Sequence, residues 1–254
     1  MNHAEIAAYA GAAAWLPQII SWVHSVWARP KISVIPNKQI EVGYTYFGPI
    51  FNLKMALAVE KKDVVLDQIA LILKHEKGDT HSFEWMGLQE VFSEISNLEN
   101  NARQIIEKNQ DPIALKLNTV GLVEKFVRFQ EPGVHDRLRP LINKLSAKEN
   151  FLKKKNDYKF QDVLGSEELD ELIKEYKNLF RWKAGRYIAS FQFRSQQKID
   201  VKDNAFVFEL NVADVEKMER NLSLIDKHLE ALIRSSKEEA QAWNWINPSF
   251  KRIK

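Results

Sequence analysis

QIEVGYTYFGPIFNLKMALAVEK, residues 39–61, alternates apolar and polar side chains in two runs separated by a Gly-Pro pair. Ile40, Val42, Tyr44 and Tyr46 share one side of the first run. Phe51, Leu53, Met55, Leu57 and Val59 share one side of the second, with Asn52, Lys54 and Glu60 opposite. A period of two marks a strand with one buried face, and Gly48-Pro49 marks the break between two such strands.

The same pattern extends in both directions. KISVI precedes it, set off by Pro36 and Asn37; VVLDQIALILKH follows it after the turn Lys61, Lys62, Asp63. Glu76, Lys77, Gly78 and Asp79 form the next turn, leading into HSFEW. GLVEKFVRF, RYIASFQFRS and AFVFELN complete the strand-like runs, the second alternating Tyr187, Ala189, Phe191 and Phe193 and the third Phe206, Phe208 and Leu210.

Helical spacing interrupts these runs. Leu88, Val91, Phe92, Ile95 and Leu98 recur at three or four residues; so do Leu138, Leu141, Ile142 and Leu145, and the series from Leu169 to Phe180 that opens at Ser166. About eight short strands with turn signals predict an antiparallel β-sandwich, immunoglobulin-like and two-layered, over residues 30–211. It carries helical insertions at about 88–110 and 134–180. A C-terminal unit, residues 212–254, opens with Asn211 as N-cap and Asp214 three residues later. Val215, Met218, Leu222, Ile225, Leu229 and Leu232 then line one face of a long helix that packs on the sandwich.

The first 29 residues read differently. From Ile6 to Trp27 no Asp, Glu, Lys or Arg occurs. Such a helix is roughly 33 Å long, against about 30 Å of bilayer hydrocarbon. A soluble helix keeps a charged face, so residues 1–29 are expected to form a transmembrane anchor. Only Met1, Asn2, His3, Ala4 and Glu5 precede the run, which lacks the basic start of a signal peptide. Arg29, Lys31 and Lys38 after it place the bulk of the chain in the cytoplasm as a single-pass membrane protein. Trp22 and Trp27 fall at the inner interface. Ala7, Gly11, Ala14, Gln18, Ser21 and Ser25 are spaced alternately by three and four, forming a small and polar seam that suits helix association.

Composition narrows the chemistry. Of the 254 residues 37 are basic and 34 acidic, a net charge of +3 that is far below the footprint of a duplex binder. With no cysteine, disulfides, zinc knuckles and thiol nucleophiles are excluded. There is no Walker loop, GxSxG elbow or HExxH pair. His75 and His81 with Glu76 and Asp79 contain metal-binding residue types, but they fall in a hairpin turn where polar side chains are ordinary. Neither a metal nor a cofactor is expected.

Two basic aromatic runs remain. KENFLKKKNDYKF offers Lys153, Lys154 and Lys155 to an anionic surface; WNWINPSFKRIK offers Lys251, Arg252 and Lys254 behind Trp243 and Trp245, indoles of interfacial character. The expectation is a non-catalytic, membrane-anchored interaction or sensor module that self-associates as a homo-oligomer or binds a protein partner. The alternatives are an oligomerising membrane-perturbing effector and a binder of nucleic acid or anionic lipid headgroups.

Overall fold

The computed structural model describes residues 14–19, 28–97, 102–155, 159–202, 204–234 and 242–253. Its centre is one sheet of twelve strands, curled and open like a half-barrel. In chain order these strands are β1 (Lys31–Pro36), β2 (Glu41–Thr45), β3 (Gly48–Glu60), β5 (Gln68–His75), β6 (Thr80–Asn97) and β7 (Ala102–Gln110). They continue as β9 (Val123–Gln130), β10 (Gly185–Arg194), β11 (Asp200–Lys202), β12 (Ala205–Leu210), β13 (Trp245–Ile246) and β14 (Lys251–Arg252). Two short strands, β4 (Val64–Leu66) and β8 (Leu115–Leu117), pair separately.

The path across the sheet runs β11-β1-β3-β9-β6-β5-β10-β12-β14, antiparallel except that β11 joins β1 in parallel. Two long strands change partners along their length. β3 pairs with β2 through Gly48–Asn52 and with β1 through Met55–Glu60. β6 pairs with β5 near its start and with β7 beyond Leu88, its register against β9 shifting between Trp85 and Gly87. Staggered partners and a bulge let one sheet bend around its own apolar face.

That face is aromatic. Phe51 meets Phe129 at 6.3 Å and Phe208 at 5.7 Å between ring centroids, and Phe191 meets Phe206 at 5.8 Å. Phe51, Phe129, Phe191, Phe206 and Phe208 are all buried, so the curl encloses a packed core and not a channel.

Besides the helical residues 14–19, the described fold holds five helices: α1 (Pro132–Lys154), α2 (Phe160–Leu164), α3 (Glu167–Leu179), α4 (Val212–Glu219) and α5 (Asn221–Ile233). Several meet the end of the sheet where β2 turns into β3. Tyr44 Oη donates to Tyr176 O at 2.5 Å, and Tyr176 Oη donates to Tyr46 O at 3.1 Å. Burial raises both phenols, Tyr176 to about 12 with a further push from Tyr46, and Tyr44 higher still. Fully buried Asn221, at the start of α5, donates to Tyr44 O at 2.8 Å and Asn244 O at 2.9 Å. Its own oxygen accepts from the Asn244 backbone N–H at 2.9 Å.

The structure corrects three expectations. A single curled sheet with helices replaces the two-layer sandwich, because alternation reports one buried face and not whether that face meets a second sheet or the same sheet bent round. The insertion expected at 88–110 is the β6 and β7 ribbon; strand pairing overrides its three-to-four spacing. The long C-terminal helix is divided at Arg220 into α4 and α5.

The membrane anchor is also overturned. Among the described residues no helix is long and apolar enough to cross a membrane, which removes the expected single-pass span, its membrane localisation and the cytoplasmic placement derived from it. Of residues 1–29, only 14–19 and 28–29 are described. Residues 14–19 are helical and hold Pro17 and Gln18. The rest of the expected anchor, with Trp22 and Trp27 and most of the small and polar seam, lies outside the described residues.

Candidate interaction site at the open seam of the sheet

The C-terminal tail links two distant parts of the sheet. Trp245 and Ile246 pair with Gly43 and Val42 on β2, while Lys251 and Arg252 pair with Val207 and Phe206 on β12. Between them Phe250 turns inward, its ring 5.9 Å from Phe51 and 5.1 Å from Phe206. The tail is thus a strap whose apolar residue seals the core.

Hydrogen-bond parity fixes which way the strap's backbone faces. Phe250 N–H donates to Lys38 O at 2.8 Å and Ile40 N–H to Pro248 O at 3.3 Å, so residues 248 and 250 face the β2 side. Ile253 N–H donates to Ala205 O at 3.1 Å, so the odd residues face β12. The register, Val207 with Lys251, continued by two residues sets Glu209 opposite Ser249. That rung is not made: the ladder ends at Val207 and Lys251, and no backbone hydrogen bond joins Glu209 to Ser249.

Where the ladder parts, a cleft of about 650 Å³ opens, lined by Arg186 on β10, Val207 to Glu209 on β12, Asp214 and Lys217 on α4, and residues 245–249 and 251 of the strap. Its walls are fixed by local chemistry. Asn211 Oδ1 accepts from Asp214 N–H at 2.8 Å and Asp214 Oδ2 accepts from Asn211 N–H at 2.9 Å, a reciprocal cap that sets the start of α4. Lys217 Nζ donates to Trp245 O at 3.2 Å. Trp245 lies on Gly43, where a Cβ would come within 2.5 Å of the indole. Three cations and two carboxylates line the cleft, and one carboxylate is already engaged by the helix cap.

A second concavity, about 360 Å³, lies beside the start of α1 and is mainly apolar, with exposed Phe47, Met86 and Ile142 at its edge.

Of the residues singled out from sequence, Trp245 and Lys251 meet at the seam cleft. Arg252 turns away from it, its guanidinium donating to Val34 O at 3.1 Å. Trp243 is half-buried near Tyr46 and His228. Lys153 and Lys154 end α1, Lys153 pairing with Glu149 at 2.7 Å; Lys155 Nζ sits 4.4 Å above the Phe151 ring. Ala14 and Gln18 are exposed. Ala7, Gly11, Ser21, Ser25, Trp22, Trp27 and Lys254 lie outside the described residues.

His75 is buried against the Tyr187 ring, its Nε2 3.3 Å from Ala184 O, and Asp79 pairs with Lys183. Among the described residues no group of three His, Asp or Glu side chains could hold a metal ion.

Sequence reasoning missed Arg186, Glu209, Asp214 as a cleft residue, Lys217 and Ser249. One available signal was Gly43, a lone glycine within an alternating strand, which marks close approach of another group to the backbone. None of the family models, curated proteins or solved structures compared with this chain matches it.

Proposed function

We propose that this protein is a non-catalytic binding module and that the open seam between β12 and the strap is its contact site for a protein partner. The observation that carries this reading is a solvent-open cleft of about 650 Å³ whose walls are already held in place by the helix cap, the Lys217 to Trp245 bond and the Trp245 stack on Gly43. A preorganised cleft avoids much of the ordering entropy that weakens binding.

Selection of peptides from a random library on the purified protein tests it. Asn247 is exposed on the cleft wall, and Asn247→Trp fills the space. Selected peptides bind the wild type and lose about tenfold or more in affinity for the filled variant, roughly 1.4 kcal/mol. Recovery of no peptide, or of peptides indifferent to the variant, rejects the reading.

A second reading, self-association, rests on the helical residues 14–19. Trp15, Leu16 and Ile19 are 64%, 54% and 52% exposed on an uncharged turn. Large exposed side chains gain by packing against another copy. Sedimentation equilibrium of the full chain and of a Trp15→Ser, Leu16→Ser, Ile19→Ser variant separates a mass above the monomer that the variant loses from a monomer in both.

A further inference from the structure

The rung left unmade between Glu209 and Ser249 identifies the kind of partner. Resting on the seam as contact site, we infer that the occupant is an extended, acidic peptide segment of a partner protein. It inserts between β12 and the strap and hydrogen-bonds through its main chain to both.

Both edges offer unpaired main-chain groups. By the parity of the ladder, the N–H and C=O of Glu209 face the strap and those of Ser249 face β12, with neither set bonded to the other. Alternate residues of a strand present these groups to opposite sides, so two consecutive residues of an inserted segment satisfy one edge each. The edges run in opposite directions, and the insert lies parallel to one and antiparallel to the other. An extended residue in a sheet takes roughly 4.8 by 3.3 by 10 Å, about 160 Å³. The cleft of about 650 Å³ thus holds a short segment of a few residues. This is strand addition into a slot, whose affinity derives largely from the main chain.

Charge selects within that class. Asp214 accepts from the Asn211 N–H, and Glu209 stands directly opposite Arg186 in the β10 and β12 register. Lys217 uses one donor on Trp245 O, and an ammonium carries three. Arg186, Lys217 and Lys251 are the cations of the lining, and the two lysines, with no carboxylate opposite them in a strand ladder, are the ones assigned to an incoming carboxylate.

The test uses the full chain and the pentapeptide acetyl-Thr-Val-Glu-Val-Thr-amide as probe, with residue-resolved amide hydrogen exchange as the readout. At about 1 mM probe, the Glu209 and Ser249 amides are expected to exchange about tenfold more slowly, while the same peptide N-methylated at both valines produces no slowing. Replacing its Glu by Lys, or combining Lys217→Gln with Lys251→Gln, weakens binding about fivefold or more. Ser249→Pro removes one of the two edge donors and weakens it similarly.

Absence of binding at about 1 mM, or binding that leaves both amides unchanged, overturns the inference. Slow exchange of these amides without probe overturns it in favour of the chain's own segment; slowing that grows with protein concentration overturns it in favour of a second copy. If library-selected peptides are blocked by Asn247→Trp but leave the two amides unaffected, this inference falls and the seam remains the contact site. Peptides indifferent to Asn247→Trp remove both.

Discussion

The indole of Trp245 lies so close to Gly43 that a Cβ there would be 2.5 Å from both Cε3 and Cζ3, and the same two residues are partners in the β2 and β13 ladder. The strap therefore rests on a position where only hydrogen fits. Gly43 O also accepts from Trp182 Nε1 at 2.9 Å, which ties this contact to the aromatic core. Gly43→Ala is expected to displace the indole and to cost about 1–3 kcal/mol, as overpacking does. Urea denaturation measures the loss, and Trp245 fluorescence in a Trp-depleted background shows whether the strap has lifted.

Asn221 is the other clasp of the strap. Replacement by Leu keeps the volume but leaves Tyr44 O, Asn244 O and the Asn244 N–H without the partner they have now. The expected loss is about 2–4 kcal/mol, since the unsatisfied groups are held in or beside the core. Asn221→Ala would mix this effect with a cavity, so Leu is the cleaner substitution for equilibrium unfolding.

Alkaline pH should unfold the protein through its buried phenols. Unfolded tyrosines ionise near pH 10. Burial holds Tyr176 neutral to about 12 and Tyr44 beyond that, so their stabilising effect is complete below about pH 10 and is lost as pH rises toward the folded values. Over that window the unfolded chain has given up protons the native state keeps, and stability falls by up to about 1.4 kcal/mol per pH unit for each phenol. Phenolate absorbance should rise together with the loss of circular dichroism, and Tyr44→Phe should flatten the pH slope of stability. Phenolate forming at both sites in the intact fold would refute the account.

Asn211 sets the first turn of α4, one wall of the cleft. Asn211→Ala removes one half of the reciprocal cap with Asp214 and is expected to destabilise the protein by about 1 kcal/mol. The melting temperature reports this directly. Asn211→Asp, which restores an acceptor at the same place, should recover most of it.

Much of the strand content was legible because its cause is local. β1, β2, β3, β9, β10 and β12 fall within runs whose alternation is visible in the sequence, and the Asn211 cap with Asp214 appears as written there. The ribbon of β6 and β7 was not legible. Its apolar spacing fits a helix, and the pairing of β6 with β7, anchored at its start by the pairing of β6 with β9, selects the extended form. Leu88 shows this: it heads the apparent helical series yet lies in the β6 ladder opposite Val127.

The candidate site was less visible for the same reason. Trp245 and Lys251 stood out by composition, but Arg186, Glu209, Lys217 and Ser249 come from four separate segments and carry no shared motif. Their proximity is a property of the curl. The N-terminal anchor was a different case: absence of charge over a sufficient length permits a span without requiring one, and among the described residues no helix is long and apolar enough to make it.

The pairing of Val42 with Ile246 joins positions about two hundred residues apart. Nearly all of the described chain must be synthesised before that contact can form, so until then one edge of β2 and the side of Phe51 that meets Phe250 stay uncovered. Maturation should therefore be slow, wait for residues 245–252, and be most sensitive to chaperone depletion in the interval before β13 and β14 emerge.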